Sequence, residues 1–551
     1  MHNPNKQDQS YQNRYGNFVG QYINGRWSSG SDVKVSTDKN PYNDEELAEL
    51  SLADAADVNR AFEAAKAAQI EWAQTTPGER SAIFLKAVAI VDARKDELIE
   101  WIIHESGSTR IKANIEWGAV RAGMLEAASM PTMAQGHIIP IDNRGREARI
   151  YKRPVGVVGV ISPWNFPFHL SNRSVAPAIA VGNAVVLKPS NDTPITGGLL
   201  LAKIYEEAGL SPGVLNVVIG DSATIGDVFC RHPIPRVLTF TGSTPVGKHI
   251  ARIAAESSLL KRIGLELGGN APLVVLDDAD LDKAVRCALV GRFMHQGQIC
   301  MSTNRIIVDN SIYDRFVEAY TEAARDLKYG DPSEPDTLIG PLCNDNQVRS
   351  VSNSIQQART AGFREQLSGK IEGRVIPPHV FSEVTNNSKL ARDEIFGPVA
   401  PLIRAQNEAE ALIFANDTDF GLSSAVFTQD ESRGLSFARK VEAGMTHIND
   451  ITIHDYPHVM FGGEKNSGLG RFNGRWVIEE FTPIILFPFK NDLYPARGRF
   501  SGGNACIEQA WRRRRPGTCW TMRPSAAPSM ACASCSCSVP SAQGFKMMVS
   551  R

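Results

Sequence analysis

Apolar residues recur every three or four positions between about residues 52 and 130, with charged side chains filling the gaps. The stretches "DAADVNRAFEAAKAAQIEWA" and "ERSAIFLKAVAIVDARKDELIEWIIHES" carry this spacing, which predicts amphipathic helices. From about residue 155 the texture changes to short β-branched runs: "VGVVGVIS" (155–162), "NAVVLKPS" (183–190), "VLNVVIG" (214–220) and "RVLTFTGS" (236–243). Helix-like stretches separate these runs, as "TGGLLLAKIYEEAGL" does before closing on Gly209. Continuous apolar strands alternating with helices predict a parallel sheet covered on both faces. Ligands of such sheets sit beyond the C-terminal ends of the strands.

A second α/β segment follows over about 265–460. Asp280 is placed to cap its first helix, and Leu281, Val285, Ala288 and Leu289 share one face of it. Gly297 then breaks the periodicity, so Cys300, which ends "MHQGQIC", is predicted to lie on a loop. Two β-rich pieces, "GHIIPIDNRGREARIYKRP" (136–154) and "FTPIILFPF" (481–489), lie outside both units and are expected to pair across subunits. No internal repeat is present. The expected division is 18–135 with 155–264 as one unit and 265–460 as the second. Linking strands are expected at 136–154 and 470–490, and an atypical tail over 491–551.

That tail, containing "WRRRRPGTCWTMRPSAAPSMACASCSCSVPSAQGF", shows neither helical nor strand periodicity. It reads as disordered or as an out-of-frame ending. Cys532, Cys535 and Cys537 lack a nearby histidine and match no common zinc spacing, so no metal is expected. His447, His454 and His458 read as loop or pocket-lining residues rather than ligands. The whole chain of 551 residues is 42% hydrophobic and 22% charged, with net charge -1. That balance gives no electrostatic case for nucleic acid or a membrane surface. No apolar run reaches the roughly 18 residues of a spanning helix, and the polar N-terminus lacks a signal-peptide core. Sparse thiols in the body suit a reducing compartment, so a cytoplasmic protein is expected.

A cysteine attacks only as thiolate, and it needs an electrophile and support for the charge that forms. Three upstream stretches offer those parts. In "ISPWNFPF" Asn165 follows a strand directly, where its amide can face a crevice. In "LELGGNAP" Glu266 precedes a Gly-Gly pair that leaves its carboxylate uncrowded. In "LTFTGSTPVG" a strand ends at Thr241, Gly242 and Ser243, and a helix resumes near Gly247; backbone donors at such a start hold phosphate. Singly, each has an ordinary reading: Asn165 as a turn cap, Glu266 as a surface acid, Lys188 as a surface lysine, Cys300 as a buried small residue. Their joint occurrence at consecutive strand ends is what points to chemistry.

The motifs "ISPWNFP", "VVLKPS", "TFTGSTPVG", "LELGGNAP", "GQIC", "DEIFGP" and "FGGEKNSGLGR" resemble, in order, those of the NAD(P)-dependent aldehyde dehydrogenase superfamily. The resemblance spans about residues 20–482, and Cys300 stands thirty-four residues after Glu266, as in that family. It implies a Rossmann-like coenzyme domain, an α/β catalytic domain and a small β oligomerisation element. It further implies that Cys300 is the nucleophile, that Asn165 and the Cys300 backbone N–H hold the oxyanion, and that Glu266 is the general base for thioester hydrolysis. By the same resemblance, Trp164 and Lys188 match positions lining the adenosine ribose. Gly242, Ser243 and Gly247 match the pyrophosphate turn, while Glu394 and Phe396 match positions at the nicotinamide ribose and ring.

One position departs from the pattern. Asn191 stands where NAD-preferring members often carry a glutamate. A 2′-phosphate is then not repelled, and Lys188 with Ser190 is placed to help bind it, so NAD is expected with NADP open. The stretch 447–482 resembles the benzaldehyde and vanillin dehydrogenase branch. An aromatic aldehyde is therefore the expected substrate, with Trp117, Phe168, Ile299 and Met301 as pocket walls; an aliphatic or terpenoid aldehyde fits a similar apolar pocket. The family also implies a homodimer or homotetramer. Two other classes compete. A coenzyme-independent thioester-forming esterase or acyl transferase would use the same Cys300, and a non-catalytic interaction protein would have no need of Cys300, Glu266, Asn165 and Lys188 together.

Overall fold

The computed structural model describes residues 15–142 and 146–490; the expected tail and its cysteine cluster lie outside the described residues. Five parallel strands form the centre of the first sheet, in the order Leu215–Val217, Ala184–Lys188, Val157–Ile161, Val237–Thr241 and Arg262–Glu266. The chain enters at Val157–Ile161, builds outward one way, then returns to build the other way. The strand order therefore reverses between Ile161 and Thr241, and a crevice at such a reversal is where open α/β sheets bind ligands. The hairpin of Gln21–Ile23 and Arg26–Ser28 closes one edge, and Gly468–Leu469 pairs antiparallel with Glu266 at the other.

Successive side chains along these strands enter opposite cores, which is why the runs are apolar without alternation. Val158, Val160, Val185 and Leu187 join the core built with helices Pro77–Ala93, Lys95–Ser106, Arg110–Met133 and Pro167–Ala180. Val157, Ala184, Val186, Leu238 and Phe240 join the opposite core, with helices Ala55–Trp72, Ser222–Arg231 and Thr244–Glu256.

Only residues 267–270 separate the first sheet from the first-entered strand of the second, Ala271–Val275. The second sheet has seven strands, in the order Arg364–Leu367, His379–Ser382, Val399–Ala405, Thr303–Asp309, Ala271–Val275, Ser423–Phe427 and Met445–Ile448. All pairs are parallel except that of the edge strand Arg364–Leu367. Asp280 caps helix Leu281–Phe293 by accepting from the Lys283 N–H. A third, three-stranded sheet has the order Ile484–Lys490, Arg146–Lys152, His137–Pro140. The stretch 470–490 is not all strand: helix Gly474–Phe481 precedes Ile484–Lys490, because Val477, Ile478 and Phe481 share a buried helical face. No helix among the described residues is long and apolar enough to cross a membrane.

Candidate active site

Six chain segments converge on one cavity of about 270 Å³ at the strand-order reversal of the first sheet. The segment after Ile161 contributes Trp164 and Asn165, and the end of Val237–Thr241 contributes Gly242 and Ser243. Glu266 enters from the end of its strand, and Cys300 from the turn before Thr303–Asp309. Glu394 and Phe396 complete the lining. Trp164 meets Phe396 edge to face, with centroids 5.5 Å apart.

The loop carrying Cys300 is held by backbone geometry that few residues adopt. His295 and Gln296 have φ of 51° and 56°, a left-handed conformation that costs on the order of 1–3 kcal/mol per residue. Buried hydrogen bonds hold them there. Gln296 Nε2 donates to the carbonyls of Pro341 (2.7 Å) and Gly107 (3.2 Å). Gln298 Oε1 accepts from the Cys343 N–H at 3.0 Å, and its carbonyl accepts from Asn165 Nδ2 at 2.9 Å. Asn165 is thereby fixed beside the loop that carries Cys300. Gly269 permits this arrangement, since a Cβ there would lie 2.1 Å from the Cys300 carbonyl oxygen.

Burial dominates the electrostatics. It pushes the Cys300 thiol up to about 12, against the pull of Arg173 and with the push of Glu266, Glu394 and Asp455. It pushes Glu266 up to about 8; Arg173 opposes this, Asp455 adds to it and Arg471 opposes it. Neither carboxylate oxygen of Glu266 has a hydrogen-bond partner among the described residues. A buried, unpaired carboxyl that titrates near neutrality suits proton transfer. Glu394 is pushed by burial to about 7, with the Gly269 N–H donating to it at 2.8 Å and Arg292 opposing.

The cavity suits a dinucleotide. Helix Thr244–Glu256 begins at Ser243 with no side-chain hydrogen bond capping it, so its first N–H groups stay available to a phosphate. Gly268 lets the backbone pass Glu394, whose Oε2 would lie 2.4 Å from a Cβ at that position.

Seven of the expected site residues do not line this cavity. Lys188 ends its strand buried, and its Nζ donates to Ser222 Oγ at 3.1 Å; burial lowers it to about 8. Ser190 Oγ donates to Asp192. Gly247 lies inside helix Thr244–Glu256, where a Cβ would strike Leu267 at 2.4 Å, so its bareness serves helix packing. Trp117 turns away: its Nε1 donates to the Val91 carbonyl at 3.1 Å. Phe168 is fully buried in the first turn of helix Pro167–Ala180, and Ile299 and Met301 turn into the same core. Conversely, Leu170, Leu267, Gln347 and Ser350 line the cavity without having been singled out. Gln347 and Ser350 sit on helix Asp345–Thr360, a polar helix with no motif of its own.

Comparison with known proteins bears on this geometry. The aldehyde dehydrogenase family profile matches residues 27–485. A vanillin dehydrogenase of Corynebacterium glutamicum is 52% identical over 460 residues, 84% of this chain and 95% of the relative. A benzaldehyde dehydrogenase of Bacillus subtilis is 47% identical over 464 residues, 84% of this chain and 95% of the relative. Among solved structures, an NAD-dependent benzaldehyde dehydrogenase from Corynebacterium glutamicum superimposes with a TM-score of 0.81 at 46% identity, covering 88% of this chain and 99% of the other. A cysteine, an amide and a carboxyl gathered at the mouth of a dinucleotide-type sheet, in a chain matched along nearly all its described length, place it in one group: the chain belongs to the aldehyde dehydrogenase family.

Proposed function

We propose that this protein oxidises an aromatic aldehyde to its carboxylic acid with NAD as coenzyme, Cys300 acting as nucleophile, Asn165 as oxyanion donor and Glu266 as general base. The observation that carries the reading is the convergence of these three side chains on one cavity. The vanillin and benzaldehyde specificities of the relatives support the aromatic substrate. The coenzyme is supported by the uncapped helix start at Ser243 and the Gly268 passage beside Glu394.

In this mechanism the Cys300 thiol gives its proton to a water in the cavity, and the sulfur attacks the aldehyde carbon. The oxygen that gains charge accepts from Asn165 Nδ2 and the Cys300 N–H, and one such donor lowers the barrier by roughly 2.7–4 kcal/mol. The nicotinamide, when bound, supplies the hydride acceptor. Trp164, Ser243, Glu394 and Phe396 are the residues assigned to hold that coenzyme, with Lys188 behind them. A thioester remains on Cys300. Glu266 then takes a proton from a water, whose oxygen attacks the thioester carbon, and the Cys300 sulfur departs. Gly269 and the Gln296 hydrogen bonds hold the loop that carries Cys300.

The same reading assigns the first sheet to coenzyme binding and the second to carrying the nucleophile. It assigns the three-stranded sheet, with exposed Ile138, Ile484, Leu486 and Phe487, to contact between copies in a cytoplasmic homodimer or homotetramer. The test is an absorbance assay of coenzyme reduction, running NAD and NADP against benzaldehyde, vanillin and an aliphatic aldehyde. Turnover is expected to favour the aromatic substrates. Equal or better turnover of the aliphatic one overturns the substrate reading, and ester hydrolysis without coenzyme reduction overturns the reaction.

A further inference from the structure

A buried charged cluster that the proposed reaction does not use reaches the Glu266 strand through Phe472. Arg173, on helix Pro167–Ala180, is only 7% exposed, and its Nη1 donates to Asp455 Oδ2 at 3.1 Å. His169 Nε2 meets the same oxygen at 2.9 Å, and Asn473 Nδ2 donates to Asp455 Oδ1 at 2.6 Å. The Arg173 guanidinium also lies over two rings, 4.4 Å from the centroid of Phe461 and 5.2 Å from that of Phe472. Phe472 in turn approaches Gly264, two residues before Glu266 on the same strand, where a Cβ would lie 3.3 Å from its ring. Arg173 Nε is buried with no partner, as are both oxygens of Glu266. A buried cation with an unspent donor is therefore stacked on the ring that abuts the Glu266 strand.

We propose that Arg173 is the cation that allows the buried Glu266 carboxyl to ionise, and that Asp455, with His169 and Asn473, is a positioning residue that holds the guanidinium in place. The proposal rests on Glu266 as the general base. The charges facing Glu266 are Arg173, Asp455 and Arg471, with Cys300 and Glu394 sharing its cavity. Arg471 is engaged by Glu464 and by the Gly463 and Gly470 carbonyls. Within the ion pair, the pull of Arg173 exceeds the push of Asp455 at both Glu266 and Cys300. Burial raises Asp455, but His169, Arg173 and Asn473 outweigh it and hold the group well below the usual carboxylate range. It therefore stays ionised as Arg173's anchor.

Infrared difference titration of the full chain reads this directly. The protonated-carboxyl band lost in Glu266→Gln identifies Glu266, and its midpoint is then followed in Arg173→Met, Arg173→Lys and Asp455→Asn. Removing an opposite charge favours the protonated carboxyl, so Arg173→Met is expected to raise the midpoint. Arg173→Lys keeps the charge and is expected to stay near wild type. Asp455→Asn keeps an acceptor for Arg173 while deleting the opposing charge, and is expected to lower the midpoint. An unchanged midpoint in Arg173→Met overturns the proposal; a rise in Asp455→Asn reports release of the guanidinium and supports the anchor, whereas an unchanged midpoint there overturns the role of Asp455. Full turnover by Glu266→Gln overturns the base assignment instead, and leaves the midpoint measurements to decide the role of Arg173.

Discussion

Replacing Glu266 by Gln tests the hydrolytic half-reaction and the burial of the group at once. Gln has nearly the same volume and cannot accept a proton from water, so the acyl group is expected to form on Cys300 and stay. Rapid mixing with benzaldehyde should then show a burst of reduced coenzyme of about one per site, followed by steady-state turnover slower by roughly 10²–10⁴. Under the proposed mechanism, hydrolysis in the wild type needs ionised Glu266. Its rate is expected to rise with pH through about 8, where burial places the group, and this limb should vanish in the variant. The same burial has a stability sign. The folded-state value lies above the ordinary 4.5, so the unfolded chain loses this proton first. Wild-type stability therefore falls as pH rises from about 4.5 to about 8, by about 1.4 kcal/mol per pH unit for this group, and levels off above. The Gln variant lacks that loss. Its unfolding free energy, measured in urea, is expected to exceed that of the wild type by an amount that grows across the window to on the order of 4–5 kcal/mol at most. A variant with full steady-state turnover refutes the catalytic reasoning, and a stability gap that does not change with pH refutes the electrostatic reasoning.

Asn165→Ala removes the side-chain donor. The burst rate is expected to fall by about 10²–10³ while coenzyme affinity, read by fluorescence, stays unchanged. Lys112 and Glu116 form a fully buried ion pair that also accepts the Phe168 and His169 N–H groups at the start of helix Pro167–Ala180. Lys112→Met leaves the carboxylate buried and unpaired, and urea unfolding is expected to show a loss of about 3–5 kcal/mol, reduced when Glu116→Gln is added. Asn191→Glu places a carboxylate where a 2′-phosphate would approach, and kcat/KM with NADP is expected to drop about tenfold relative to NAD.

What could be read from the chain followed from periodicity and from local breaks in it. The runs at 155–162 and 236–243 are apolar at consecutive positions because both faces of their sheet are covered, as the split of Val157 and Val158 between opposite cores shows. Gly297 correctly located a loop ahead of Cys300, yet the left-handed pair carries little compositional mark, since histidine tolerates that conformation better than most residues but Gln296 does not favour it. Trp117 and Phe168 were chosen as pocket walls because aromatic type suits a flat ring. Type does not fix direction: Trp117 spends its N–H on Val91, and Phe168 fills the core. The least legible part was the charge around the base. Arg173 and Asp455 stand 282 positions apart, on a helix that reads as ordinary packing and on a loop that reads as polar. Only folding brings them together, between two phenylalanines that each alone would read as core. A motif records the residues that touch the reacting atoms, whereas the field that tunes those residues comes from burial and from distant charges. The reaction was therefore readable in "LELGGNAP" and "GQIC", while the ionisation of the base on which its rate depends was not.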